Sequence, residues 1–289
     1  MKVVLFGAAG YIGKRLLASL LLSGVDVVSY SSQTAGIFNM ESGVLDEAVR
    51  ISTGTDCVVY LSQSPRYREL PEESSHLWGV NVVSAFRAAN LARQSGAKRF
   101  IYASTGNVYQ PSFDLLNEDS ALRRDDWYAL SKVHAEEGLA LFGGDMSVLS
   151  TRIFGVYGPN QADRLVPNLV NAMRAGMPIK LASRADGKND KGGLRVSLCY
   201  VDDAVRIFSQ LVCSDATGAL NIAGPEVLSI RNMVEAIGWH IGRSPRFEVA
   251  SQPRPLDLMA DITKLVQVCQ PQFTSFDDGL RAALDLDGA

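Results

Sequence analysis

The chain has 289 residues, 47% hydrophobic and 20% charged, with a formal net charge of −3 and a pI near 5.7. That composition fits a globular protein with one large domain, or a main domain with a smaller lobe. Mild acidity gives no electrostatic basis for nucleic acid or an anionic membrane as partner, and no apolar run reaches transmembrane length. The first apolar run stops at Gly7, too short for the core of a signal peptide, so a cytoplasmic protein is expected. Cys57, Cys199, Cys213 and Cys269 are scattered with no CxxC pair, and His76, His134 and His240 stand apart from any carboxylate or Cys cluster of ligand spacing. Buried reduced thiols and no metal site follow from that pattern.

In chain order, residues 2–6 form a continuous apolar run that reads as a strand, followed by a helix over 11–22 with apolar residues at 12, 16, 17, 20 and 21. Strands follow at 26–30 and 57–61, then a long helix from about 71 to 94, a strand at 99–103, a helix at 128–141 and a strand at 147–154. Near-continuous apolar strands separated by helices predict a parallel sheet covered on both faces, a doubly wound Rossmann α/β fold. After Gly158-Pro159 come a helix over 165–175 and a polar, Gly-rich loop over 183–193 to which no chemistry is assigned. Two more strands, at 196–201 and 219–223, flank a helix over 201–212, and a mixed region runs from Pro225 to the end. The expected division is a dinucleotide-binding domain over 1–160 and 196–223, with a smaller mixed α/β substrate lobe over 161–195 and 224–289.

Gly7-Ala-Ala-Gly10-Tyr11-Ile12-Gly13 lies between the first strand and the first helix, the context in which GxxGxxG marks a dinucleotide site. Gly7 permits the tight turn, Gly10 lets the backbone approach a pyrophosphate, and Gly13 lets the helix pack on the strand. Free N–H groups at the helix start then bind the phosphates. The second strand ends Ser29-Tyr30-Ser31-Ser32-Gln33, without the acid that usually binds the ribose and without a cation for a 2′-phosphate. The cofactor is therefore NAD or NADP, with NADP expected to be tolerated. Tyr128 and Lys132 stand at i and i+4, one face of a helix, where an ammonium beside a phenol favours the phenolate. Such a tyrosine can exchange a proton with an alcohol or ketone.

Further motifs accompany this pair: Tyr102-Ala-Ser-Thr-Gly-Asn-Val-Tyr109, Thr151-Arg-Ile-Phe-Gly-Val-Tyr-Gly-Pro159, Cys199-Tyr-Val-Asp-Asp-Ala204, Arg254-Pro-Leu-Asp257 and Ala260-Asp-Ile-Thr-Lys264. In this order, over almost the whole chain, they resemble the extended short-chain dehydrogenase/reductases, also called the NAD-dependent epimerase/dehydratase family, and among them the nucleotide-sugar 4-epimerases. The resemblance implies that Tyr128 is the general acid/base, that Thr105 bonds the reacting oxygen with Ser104 beside it, and that Lys132 holds the nicotinamide ribose and lowers the Tyr128 pKa. It implies cofactor contacts at Ser31, Asn39, Met40, Leu61, Ser62, Asn81 and Phe154, and diphosphate contacts at Arg195 and Arg254. Asn81 also reads as a helix-surface residue, and Arg195 and Arg254 as solvated or Asp-paired cations. Asp202 and Asp203 read as caps of the following helix.

This sequence departs from the family pattern in four places. The connection from the second strand to the third leaves little room for a helix, Ser62-Gln63 replaces a small apolar pair, and Gly155 stands where many members have a substrate-binding Asn. Gly106-Asn107 stands where 4,6-dehydratases place Asp-Glu, which argues against a dehydratase. The function expected by resemblance is a nucleotide-sugar epimerase acting by transient hydride transfer. The alternatives are a keto-sugar or carbonyl reductase and, from another class, a non-catalytic dinucleotide sensor. A homodimer packed through the long helix and the Tyr128 helix is expected on the same ground.

Overall fold

A computed structural model describes residues 1–34 and 36–284. The first half runs β1 (Lys2–Phe6), α1 (Tyr11–Leu22), β2 (Asp26–Tyr30), β3 (Cys57–Tyr60), α2 (Ser74–Trp78), α3 (Ser84–Ser95), β4 (Arg99–Thr105), α4 (Trp127–Leu139) and β5 (Ser147–Ile153). It continues with β6 (Gly155–Tyr157), α5 (Leu165–Arg174), β7 (Ile179–Leu181), β8 (Arg195–Tyr200), α6 (Val201–Leu211) and β9 (Gly218–Ile222). The chain closes with β10 (Val227–Ser229), α7 (Ile230–Ile241), β11 (Phe247–Val249), α8 (Thr263–Cys269) and α9 (Phe276–Ala283).

The apolar runs pair into one six-stranded sheet of order β2-β1-β3-β4-β5-β9, parallel throughout. The chain leaves β1 for β2 on one side and returns to β3 on the other, so the sheet switches direction at the carboxyl ends of β1 and β3, where such folds open a crevice. The β2–β3 connection carries no helix among the described residues, only turns and a bridge between Phe38 and Leu45. One sheet face packs against α1, α6 and α8, burying Leu16, Phe208 and Leu265 against Val3, Val59 and Ile101. On the other face Ala85, Ala88, Ala89 and Ala92 of α3 present small side chains to Phe6, Tyr60 and Phe100. Burial of such apolar surface is the main term holding the layers together, about 25 cal/mol per Å² removed from water.

The long helix departs from the simple expectation. A π-helical turn, Gly79–Val83, joins α2 to α3 without a break. Buried tyrosines from the sheet meet it there: the Tyr60 hydroxyl donates to the Val80 carbonyl at 2.6 Å and the Tyr102 hydroxyl to the Asn81 carbonyl at 2.8 Å. Single π turns are common at functional sites.

The smaller lobe has its own core, in which Val166, Leu169 and Met173 of α5 meet Met233 and Ile237 of α7 and Leu280 of α9. Two elements make contacts across the expected division. Strand β8 pairs with β6 and β10 in a separate three-stranded sheet, not in the central one. Helix α8 lies in the C-terminal stretch assigned to the lobe, yet Leu265 and Cys269 pack into the core beneath the central sheet. Residues 285–289, the end of the expected lobe, lie outside the described residues.

Candidate active site

A cavity of about 930 Å³ opens at the carboxyl ends of β1 and β3–β5, roofed on the lobe side by Leu165, Val166, Leu194, Val196, Leu198 and Leu258. The glycine loop forms one wall. Gly7 has φ +87°, and a Cβ there would lie 2.8 Å from both Leu61 C and Ser62 N, so the turn needs glycine on two counts. A Cβ on Gly13 would lie 2.1 Å from the Gly7 carbonyl oxygen, which is why α1 can start this close to β1. No side chain caps α1 at Gly10, so its first-turn amides remain available to an anion in the cavity. This bare cradle fits a dinucleotide pyrophosphate. Tyr11 and Arg15 brace it: the Tyr11 hydroxyl and the Arg15 guanidinium donate to the Pro159 carbonyl at 3.1 and 2.7 Å.

Ser31, Asn39, Met40, Leu61, Ser62 and Phe154 all line the same cavity, with Gly7, Gly10, Tyr11, Ile12 and Gly13. Asn39 turns its side-chain oxygen to the Glu41 and Ser42 amides at 3.0 and 2.9 Å, which fixes the lip where Met40 is exposed. Among the described residues, no lysine or arginine stands beside Ser31, Ser32 and Gln33 on the cavity wall.

Ser104, Thr105, Tyr128 and Lys132 converge on the opposite wall. Strand β4 delivers Ser104 and Thr105 at its carboxyl end, in register with Arg152 and Ile153 of β5. Helix α4 delivers Tyr128 and Lys132 one turn apart, its start capped by the Asp126 carboxylate accepting from the Ala129 amide at 2.9 Å. The Tyr128 hydroxyl donates to Gln63 Oε1 at 3.0 Å. Burial pushes the Tyr128 phenol above its ordinary range, and the Thr105 hydroxyl offsets only part of that rise. Lys132 is 1% exposed; its ammonium donates to the Ala103 carbonyl at 2.8 Å and lies 4.7 Å from the Tyr102 ring centroid. Burial pushes the Lys132 pKa down to about 7, with Glu136 opposing. Burial, rather than the expected ammonium, therefore sets the direction for the phenol.

Three expected contacts lie elsewhere. Asn81 is fully buried and does not line the cavity; it accepts from the Ser64 amide at 3.3 Å and donates to Ser131 Oγ at 3.1 Å, tying the β3 exit to the helix that carries Lys132. Arg254 is buried against Asp257 and Asp190, at 2.8 Å and 2.5 Å, and Arg195 pairs with the same Asp190 at 2.8 Å. Neither arginine lines the cavity, because both charges are spent on these acids. The polar, Gly-rich loop over 183–193 holds Asp190 and is tied down by it. Asp203 also differs from expectation: instead of capping α6 it accepts from the Thr274 amide and hydroxyl at 2.7 and 2.8 Å.

Tyr67, Arg68, Gln161 and Arg164 line the cavity too, without any motif that marks them in the sequence. Gln161 Oε1 is a buried acceptor with no partner among the described residues, the arrangement a bound donor would satisfy. Their side chains are distributed over two loops, and no spacing in the sequence links them. Ser104 is bonded to Glu136, whose carboxylate meets Arg152 at 2.8 Å in a fully buried pair. The repeat of Tyr128, Lys132 and Glu136 at every fourth residue is the sequence signal for this third position.

A family model described as the NAD dependent epimerase/dehydratase family matches residues 3–223. The chain belongs to that family. As a family member it is an NAD-dependent enzyme, epimerase or oxidoreductase in type. A Bacillus subtilis (strain 168) protein described as an uncharacterized UDP-glucose epimerase, YtcB, is 24% identical over 97% of this chain and 96% of its own length. A UDP-glucose 4-epimerase of Vibrio cholerae is 28% identical over 76% of this chain and 68% of its own. Among solved structures, the Thermus thermophilus UDP-glucose 4-epimerase in complex with NAD superposes with a TM-score of 0.77 at 24% identity, covering 100% of both chains. That last likeness speaks to the fold.

Proposed function

We infer that the protein is an NAD-dependent nucleotide-sugar epimerase with Tyr128 as its acid/base. The observation carrying this reading is the convergence of Thr105, Tyr128 and Lys132 on one cavity with the uncapped glycine loop. Bound NAD supplies the acceptor and donor of hydride at the sugar carbon. Tyr128 takes the proton of the sugar hydroxyl and returns it after the ketone has turned over. Thr105 positions that oxygen, and Lys132, anchored on the Ala103 carbonyl, holds the ribose face of the site. The cradle residues bind the pyrophosphate, and Ser31, Asn39 and Met40 receive the adenosine end. No cation beside Ser31 meets a 2′-phosphate, so NAD is favoured over NADP.

Asn107 lines the cavity where a dehydratase needs a carboxylate, and Gly106 is required by packing, since a Cβ there would lie 2.9 Å from the Phe154 ring. These features favour epimerisation over water loss. The chain has no helix among the described residues long and apolar enough to cross a membrane, and we read it as cytoplasmic. We also read it as a homodimer packed through α3 and α4; Val83 and Leu141 are exposed close in sequence to Phe86 and Phe142, whose rings meet across the helices.

The test is proton NMR of a panel of UDP-, GDP- and dTDP-sugars incubated with the enzyme in D2O without added reductant. An epimer carrying no deuterium at the inverted carbon is expected, because the hydride returns without exchange. Turnover only of keto-sugars, with stoichiometric consumption of NADH, would make the protein a reductase.

A further inference from the structure

Two arginines stand in the cavity where the sequence placed none. Arg68 and Arg164 both line it and are exposed to it, and among the described residues neither is ion-paired with a carboxylate. Arg66, close by, differs: it is taken up by Glu73 at 2.8 Å. Tyr67 gathers the other two. Arg164 Nη1 donates to the Tyr67 hydroxyl at 2.6 Å, and the guanidinium carbons of Arg164 and Arg68 lie 5.7 and 5.5 Å from the centroid of its ring. Arg68 also donates to the Asp163 carbonyl at 2.9 Å, which ties the loop after β3 to the segment that starts α5. The Tyr67 ring in turn lies 5.6 Å from that of Tyr128. Two cations are thus held, by one aromatic ring, next to the proposed acid/base. Asp163 lines the same cavity, and with Arg68 and Arg164 the formal charges of this region are two positive against one negative.

Arg164 spends Nη1 on the Tyr67 hydroxyl and Arg68 spends Nη2 on the Asp163 carbonyl, which leaves the remaining N–H groups of each guanidinium for a planar anion, phosphate and carboxylate alike. We propose that Arg68 and Arg164 bind an anionic group of the substrate, the diphosphate of a nucleotide sugar or a carboxylate on the sugar itself, in place of Arg195 and Arg254. This rests on the nucleotide-sugar reading of the cavity. Arg195 and Arg254 are already engaged by Asp190, whereas among the described residues Arg68 and Arg164 have no acid to release. Contact through Tyr67 also places the anion within reach of the reacting end of the sugar.

The experiment is titration calorimetry of NAD-loaded protein with UDP-glucose, UDP-glucuronic acid and inorganic pyrophosphate, in wild type, Arg68→Met and Arg164→Met. Pyrophosphate affinity is expected to fall about tenfold in each variant. If the arginines hold the diphosphate, both sugars weaken by a similar factor; if they hold a sugar carboxylate, UDP-glucuronic acid alone does so. Unchanged affinity for all three probes in both variants overturns the proposal, and so does wild-type protein that binds none of them. Failure of the epimerase reading gives a different result: arginine-dependent anion binding in a protein that converts no nucleotide sugar. Circular dichroism of each variant confirms that folding is retained, and Arg164→Lys, which keeps the charge, is expected to recover part of the loss.

Discussion

Tyr128 must give up a proton to work as a base, and the protein around it pushes against that. Burial raises the phenol, Thr105 partly offsets it, and the Lys132 ammonium is held by the Ala103 carbonyl and the Tyr102 ring. A cationic nicotinamide ring in the cavity would favour the phenolate, which links proton transfer to cofactor loading. Tyr128→Phe is expected to lower turnover about 10²–10⁴-fold while leaving bound NAD in place, measured by initial rates and by nucleotide released on denaturation; equal rates would remove Tyr128 from the chemistry. Lys132 carries a pH signature. Its folded pKa of about 7 lies below the ordinary 10.5, so between those values unfolding takes up a proton and stability rises with pH. Melting curves from pH 7 to 9, without added nucleotide, should climb more steeply in wild type than in Lys132→Met; parallel curves would show that the ammonium is not desolvated. Gly13→Ala sets a methyl group 2.1 Å from the Gly7 carbonyl and is expected to abolish NAD binding.

At the scale of elements, α4 is the part that holds the site together. Its inner face carries Lys132 and Glu136, and Glu136 meets Arg152 of β5 and the Ser104 hydroxyl of β4 in a buried cluster. Arg152 continues to the Tyr109 hydroxyl at 3.0 Å, and Tyr109 to Asn221 of β9 at 2.6 Å. Removing one partner of a buried pair leaves an uncompensated charge, so Glu136→Gln is expected to destabilise the fold by about 3–5 kcal/mol, read by urea unfolding; a loss under about 1 kcal/mol would mean water enters the cluster. The helices and strands that form this frame were legible in the sequence because apolar runs and the glycine loop fix them locally: α1 and β2 fall on the residues that periodicity assigns. The π turn was not, because its cause is tertiary, two sheet tyrosines reaching Val80 and Asn81.

At the scale of the whole molecule, the cavity lies between strand ends fixed by sequence pattern and a lobe fixed by long-range contacts. Residues of the cradle and of the Tyr128 wall fall in short motifs that the sequence displays, at the ends of β1 and β4 and at i and i+4 on α4. Arg68 and Arg164 do not, since they meet through Tyr67 and the Asp163 segment, far apart in the chain, and of the two readings of Arg254 the structure shows the Asp-paired one, with Asp190 supplied by a polar loop that has no motif. A structural role for Arg254 makes its own prediction. Arg254→Met should lower the melting temperature by several degrees, as expected when two buried acids lose their shared cation, and change nucleotide-sugar affinity less than Arg164→Met does. The reverse order, in calorimetry of the two variants, would return Arg254 to the substrate. An epimerase in which hydride leaves and returns within one active site must keep its cofactor bound between turnovers. Mass spectrometry of nucleotide released from purified, denatured protein tests this most directly: NAD at close to one per chain is predicted, and a chain that carries no nucleotide yet oxidises NADH steadily on a keto-sugar would contradict it.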